Sequence, residues 1–342
     1  YTAMVMLHGC FMSGVAWAVF RFFSGVAAIG LFMVIESWLS ECSQSNTRGR
    51  VFSIYMVMTY LGSSIGQQFL NIGDIRDQTL FFVAGFLMVS CILPVSLTRS
   101  IHPQTICFEP MSLKNIIKKA PMGLLGCFTT GLLTSSFYTM APVFCHGIDL
   151  DVSRISVFMT ITVLGGLLIQ WPIGLLSDRF DRSIVIPCIT ILMALVSALI
   201  IWSGHGRFSI LITATGLFGG FMFSIYPVSV ARAYDRFEPK DVVNVSSALL
   251  LFYGIGAAIG PVMASSAMTL IATPYAFYIY CCVVGVVSTA ISIYLRFRET
   301  ATIVPVEEQV DYIIMKHTSP MATQIDPRSR IDDGKKRKGH EQ

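Results

Sequence analysis

Arg21 and Glu36 stand inside one long apolar run, residues 14–38. Ionisable groups are costly in hydrocarbon, which makes both residues functional candidates. Fifteen residues separate them, about 22 Å of helix, so they cannot pair with each other. Fifteen steps of a 3.6-residue period put them within about 60° of one face, a face expected to look into the protein. At that place the planar guanidinium of Arg21 suits either a passing ligand or a structural bond to another helix. Glu36 lies nearer the end of its run and is placed to anchor Arg48 or Arg50. Tyr60, Gln67, Gln170, Tyr226 and Tyr253 are polar or amphipathic groups in other apolar runs. Such residues either line a cavity and hydrogen-bond a solute or bond helix to helix. This is binding chemistry, with no covalent step.

A second constellation is Gly174-Leu175-Leu176-Ser177-Asp178-Arg179-Phe180-Asp181-Arg182, a short charged stretch between two long apolar runs. A connection this short forces two adjacent helices to turn back on each other. Gly174 is expected to let helix backbones approach closely. Asp178 is expected to face the positive end of a neighbouring helix. Arg179 and Arg182 are expected to stay in water and pair with carboxylates across the loop.

Other spellings fail on context. Gly62-Ser63-Ser64-Ile65-Gly66 matches the G-x-S-x-G elbow of hydrolases, but that elbow needs a strand-to-helix turn and here the run is helical. Small-residue packing, as for Gly256 and Gly260, is the better reading. The chain has no G-x-x-x-x-G-K-[ST] loop, so ATP is not an evident energy source. Nine cysteines include no C-x-x-C pair and no companion histidine cluster, so neither a metal nor a cofactor is expected, and the cysteines read as small packing residues. His8 reads as structural.

The elements that must hold these residues follow from composition. Charged residues are 13% of the 342 and hydrophobic residues 54%, with mean hydropathy +0.67; a typical soluble domain carries about 25% charged residues. Apolar spans run over roughly 14–38, 51–71, 79–97, 121–145, 155–176, 184–203, 208–230, 242–264 and 274–295, with a partial span at 1–12. Each full span is near the ~20 residues that cross a bilayer as a helix, and the alternation of a membrane barrel is absent. The expected fold is all-α: a polytopic membrane helix bundle of about nine complete spans plus one partial. The chain begins at Tyr1 inside an apolar run, which reads as a sequence whose first helices precede it.

Lys and Arg in short loops mark the cytoplasmic side. Arg48 and Arg50, then Arg99, Lys114, Lys118 and Lys119, then Arg179 and Arg182, then Arg232, Arg236 and Lys240 fall on one side; Arg76, Arg154 and Arg207 fall on the other. The C-terminus is therefore expected in the cytoplasm, and the net charge of +4 reports topology and no nucleic-acid partner. Four regions result: 1–97, the remainder of an N-terminal bundle; 98–120, a cytoplasmic connector in which Met111–Lys119 can form a short amphipathic helix; 121–296, a six-helix bundle; and 297–342, a polar tail expected to be solvated and disordered, with anionic lipid as the sharper alternative for Lys335–Lys338.

The halves share a weak repeat: Gly62 to Gln67 resembles Gly256 to Pro261. Repeats of this kind accompany two-bundle transporters with a solute site between the halves. The G-x-L-S-D-R-x-x-R stretch at 174–182 resembles the signature loop of the major facilitator superfamily, except that Asp181 stands where that family usually has Gly. Arg21 to Gly25 with Glu36-Ser37, Arg48-Gly49-Arg50, Gly66-Gln67, Gln170 to Gly174 and Tyr226-Pro227-Val228 resemble its YcaD-like subgroup. The resemblance implies a twelve-helix fold of which this chain holds the fourth to the twelfth whole. It implies a secondary transporter in the plasma or inner membrane that moves a small solute by alternating access, driven or accompanied by an ion gradient for which protons are the candidate. Gly174, Asp178, Arg179 and Arg182 would form its gating loop, and Arg21, Glu36, Tyr60, Gln67, Gln170, Tyr226 and Tyr253 its path. The rivals are a membrane-embedded enzyme, which would need a nucleophile with a base or a metal cluster at one depth, and a receptor with a transporter-like fold, for which the polar tail is the hint.

Overall fold

In a bilayer every backbone N–H and C=O must be satisfied within the chain, so apolar runs of this length become helices. The computed structural model describes residues 1–11, 13–42, 48–72, 77–97, 112–203, 208–238, 241–298, 309–310, 312–317, 319 and 322. Among them are twelve α-helices: α1 Thr2–Cys10, α2 Gly14–Cys42, α3 Arg48–Gln68, α4 Thr79–Ser90, α5 Ile92–Leu97, α6 Leu113–Lys119, α7 Pro121–Gly147, α8 Val152–Arg179, α9 Arg182–Ser203, α10 Phe208–Tyr234, α11 Val242–Ile271 and α12 Ala276–Arg298.

The spans read from the sequence reappear within a few residues, but the number of complete crossings differs. Six helices, α2 and α8 to α12, are long and apolar enough to cross a membrane. The expected span at 79–97 is split at Cys91, because Pro94 has no N–H to give the Ser90 carbonyl. Helices α3 and α7 are long, but both carry many polar residues. Those of α3 include Thr59, Ser63, Ser64, Gln67 and Gln68, and those of α7 include Thr129, Thr130, Thr134, Ser135 and Ser136. Many of these polar groups are bonded between helices.

Helices α7 to α12 pack as one bundle around Phe137, Phe144, Phe158, Phe218, Phe277 and Tyr278, all buried. Its tightest seams are made by absent side chains. A Cβ on Gly131 would stand 2.1 Å from the Tyr253 carbonyl oxygen, and one on Gly256 would stand 2.3 Å from that of Phe128. Helices α7 and α11 therefore meet backbone to backbone. Hydroxyl pairs bridge other seams, Thr190 to Thr289 at 2.8 Å and Thr129 to Ser288 at 2.7 Å. In the N-terminal part, α1 packs on α2 and α4, while α3 lies along α8 of the bundle. His8 is buried there beside Trp17, Phe20 and Phe81, with Nδ1 2.6 Å from the Met4 carbonyl oxygen.

The cysteines divide. Cys127, Cys145 and Cys281 are buried and Cys282 is half-buried, whereas Cys10, Cys91 and Cys188 are exposed and are not packing residues. The expected connector helix is present as α6, with Ile116 buried beneath it. Between 309 and 322 the described residues of the polar tail are buried or half-buried, unlike a solvated segment. Met315 and Ala322 are buried together with Phe52 and Met56 of α3 and Val230 and Leu249 of α10 and α11. Lys335–Lys338 lie outside the described residues.

Candidate functional site

The signature stretch folds as the last turn of α8, a two-residue link and the first turn of α9. Arg182, expected in water, is fully buried. Its Nη1 meets Asp235 Oδ1 at 2.6 Å, its Nη2 meets Asp178 Oδ1 at 2.9 Å, and its Nε donates to Ser177 Oγ at 3.1 Å. One guanidinium thereby ties the ends of α8, α9 and α10, using the fork of donors that a lysine lacks. Arg179 is exposed. Asp178 faces Arg182 and the backbone N–H of Tyr312, at 2.9 Å, and not a helix terminus. The terminus of α9 is served by Asp181, whose Oδ1 accepts the Ser183 N–H at 2.9 Å. That is an N-cap, a role glycine could not fill with a side chain. Gly174 makes room for a ring instead of a helix, since a Cβ there would stand 2.3 Å from the Tyr312 ring.

The second group of candidates converges on the seam between α3 and the bundle. Gln170, fully buried, donates through Nε2 to Tyr60 Oη at 2.5 Å and to the Phe223 carbonyl at 3.2 Å. The Tyr60 ring stands edge-on to Phe223, and the Tyr226 ring edge-on to Tyr253. Tyr253 Oη lies 3.0 Å from Thr134 Oγ1. Glu36 is buried at the signature-loop end of this seam and accepts from Tyr55 Oη at 2.8 Å and from Ser319 Oγ. The expected anchor pairing falls partly outside the described residues, where the Arg48 side chain lies; Arg50 is exposed.

Two candidates stand elsewhere. Arg21 is exposed on α2, apart from the seam. Among the described residues Gln67 bears on the seam through its carbonyl, which accepts from Ser156 Oγ at 2.8 Å. The amide that bridges α3 to α8 belongs to Gln68, whose Nε2 donates to Thr160 Oγ1 at 2.6 Å.

The seam is filled from the signature-loop end by the tail. Val310 donates its N–H to Asp235 Oδ1 at 3.0 Å and accepts from Arg182 Nη2. Lys316 reaches deepest. Its Nζ donates to Ser63 Oγ at 3.0 Å and lies 5.6 Å and 5.9 Å from the ring centroids of Tyr60 and Tyr138. His317 stacks on Tyr253 at 4.0 Å. Burial holds the Lys316 amine down at about 8. Burial, then the Lys316 charge, holds the His317 imidazole down at about 3. Asp235, Gln68, Ser63, Tyr138, Lys316 and His317 were not singled out from the sequence. Only the apolar quartet Tyr312-Ile313-Ile314-Met315 within a polar tail signalled that this segment packs.

A bundle with buried polar seams and an Arg–Asp frame joining three helix ends agrees with the comparison to known proteins. The profile of the Major Facilitator Superfamily matches residues 124–327. The chain belongs to the major facilitator superfamily. It is a multi-pass membrane protein of a transporter family, and the MFS assignment spans α7 to α12 and the described tail. This MFS chain is also 29% identical to the MFS-type transporter YcaD of Salmonella paratyphi B, of Salmonella newport and of Salmonella typhi, over 276 residues, 78% of this chain and 70% of each relative.

Proposed function

We propose that this MFS chain works as a secondary active transporter of a small solute, with alternating access to a site in the seam and protons as the coupling ion. The observation that carries the reading is the seam itself. Tyr60 of α3 accepts from Gln170 of α8 and meets Phe223 of α10 edge-on, and Gln68 of α3 donates to Thr160 of α8. Helical units that meet through exchangeable hydrogen bonds can part and re-form as rigid bodies. Arg182, Asp178 and Asp235 keep α8, α9 and α10 moving together, and the signature loop supplies no covalent chemistry. Glu36, a buried carboxylate at the mouth, is the proton carrier in this reading. On the basic-residue asymmetry, the signature-loop end faces the cytoplasm of a plasma or inner membrane.

The test is flux in reconstituted vesicles carrying a lumenal pH dye. Solute-dependent proton movement is expected, with loss in Glu36→Gln. A folded, reconstituted protein that moves no member of a broad solute library, with or without a pH gradient, would sink the reading.

A further inference from the structure

The deepest point of the seam holds a cation. Lys316 Nζ sits within about 6 Å of two tyrosine ring centroids, the range in which a ring face attracts an ammonium. A hydroxyl, Ser63 Oγ, accepts from it at 3.0 Å. Among the described residues no carboxylate pairs with it, so two ring faces and one hydroxyl do the holding. Two more buried oxygens at this level, Tyr138 Oη and Gln170 Oε1, accept no hydrogen bond among the described residues. Tyr138 supplies one of the two rings beside the Lys316 head, and Gln170 is bonded to Tyr60, which supplies the other. A chamber with ring faces, an accepting hydroxyl and spare oxygens suits a solute that brings positive charge and N–H donors. The negative ring faces are unfavourable to an anion.

The segment that brings Lys316 here is pinned on both sides of it. Before it, Val310 and Tyr312 bond to Asp235, Arg182 and Asp178. The Lys316 N–H itself points at Met56 Sδ, at 3.4 Å. After it, Ser319 bonds to Glu36. Val310 and Tyr312 thus stand at the signature-loop end, Lys316 lies against Ser63 in the seam, and Ser319 lies at Glu36 near the mouth.

We infer that the chamber between Tyr60, Tyr138, Ser63 and Gln170 is a binding site for small organic solutes bearing an ammonium group, and that Lys316 occupies it as a self-ligand. The inference deepens the transporter reading and rests on it for calling the ligand a solute. The tail closes the signature-loop entrance while its own ammonium stands where the solute's would.

The full chain in lipid nanodiscs tests this by calorimetric titration with n-butylammonium, 1-butanol and butyrate, which share a chain and differ in charge. Lys316→Met removes the ammonium at constant length. Lys316→Glu sets a carboxylate against the ring faces and expels the tail. In both variants, n-butylammonium is expected to bind at least 10-fold more tightly than in the unaltered chain, while 1-butanol and butyrate do not gain. No gain in either monodisperse variant, or an equal gain for 1-butanol, overturns the inference. Gain of n-butylammonium binding with no flux in vesicles would remove the transporter reading and leave the site. Flux of other solutes without any gain would remove the site and leave the transporter.

Discussion

The rings of His317 and Tyr253 lie stacked with centroids 4.0 Å apart, and Tyr253 Oη is 2.7 Å from His317 Nε2. A tail histidine is held by a tyrosine of α11, in a place where it cannot easily take up a proton.

That placement gives the seating of the tail a pH dependence of definite sign. The groups facing His317 are Tyr253, Tyr226 and Lys316. A histidine held at about 3 when seated and near 6.5 when released binds fewer protons seated. Its contribution is therefore full above pH 6.5 and is lost as pH falls towards 3. Lys316, at about 8 when seated against 10.5 free, adds a second window of the same sign between those values. Lowering pH from 7.5 to 5 is expected to weaken seating roughly 30-fold. Hydrogen exchange over 309–322, corrected for the intrinsic rate, reads this, and His317→Gln should flatten it. Equal protection at both pH values counts against the coupling.

Arg182 ranks its two carboxylate partners. The side chains of Arg182 and Asp235 are both fully buried, whereas Asp178 is 39% exposed. Asp235→Asn leaves a buried guanidinium under-compensated and is expected to cost about 3–5 kcal/mol. Asp178→Asn should cost about 1 kcal/mol, since water can replace part of that partner. Thermal unfolding of the two variants in the same lipid checks the order, and equal losses would show that the frame is not centred on Asp235.

The sequence repeat predicts equivalence where the structure predicts contrast. A Cβ on Gly256 would press on the Phe128 carbonyl at 2.3 Å, while one on Gly62 meets nothing within 4 Å. Gly256→Ala should therefore lose about 1–3 kcal/mol through overpacking. Gly62→Ala should stay within about 0.5 kcal/mol of the parent. Unfolding midpoints that move together would argue that both glycines serve the same seam.

These cases show what the sequence carried. The helices were legible because a bilayer admits few other structures for apolar runs near 20 residues, and Pro94 already marked the weak point at Cys91. Tyr60, Gln170, Tyr226 and Tyr253 were found because a polar group in an apolar run must have a partner. Gln67 was chosen over Gln68 because adjacent helix residues differ by 100° in facing, and nothing in the spelling says which faces α8. Asp235 was missed because its partner is 53 residues away. The packing of 312–317 is not legible in the sequence because a segment outside regular secondary structure has no helical period to betray it.

Lys316 lies eighteen positions beyond Arg298, the last residue of α12. A ligand on so short a leash is present at an effective concentration in the millimolar range, whatever the cell contains. Free amines at micromolar levels would then meet a competitor that outnumbers them about a thousandfold and cannot diffuse away. Being covalently attached, that competitor can never be delivered to the far side. The chain would idle by default, and its throughput would be set by whatever loosens the leash as much as by the supply of cargo.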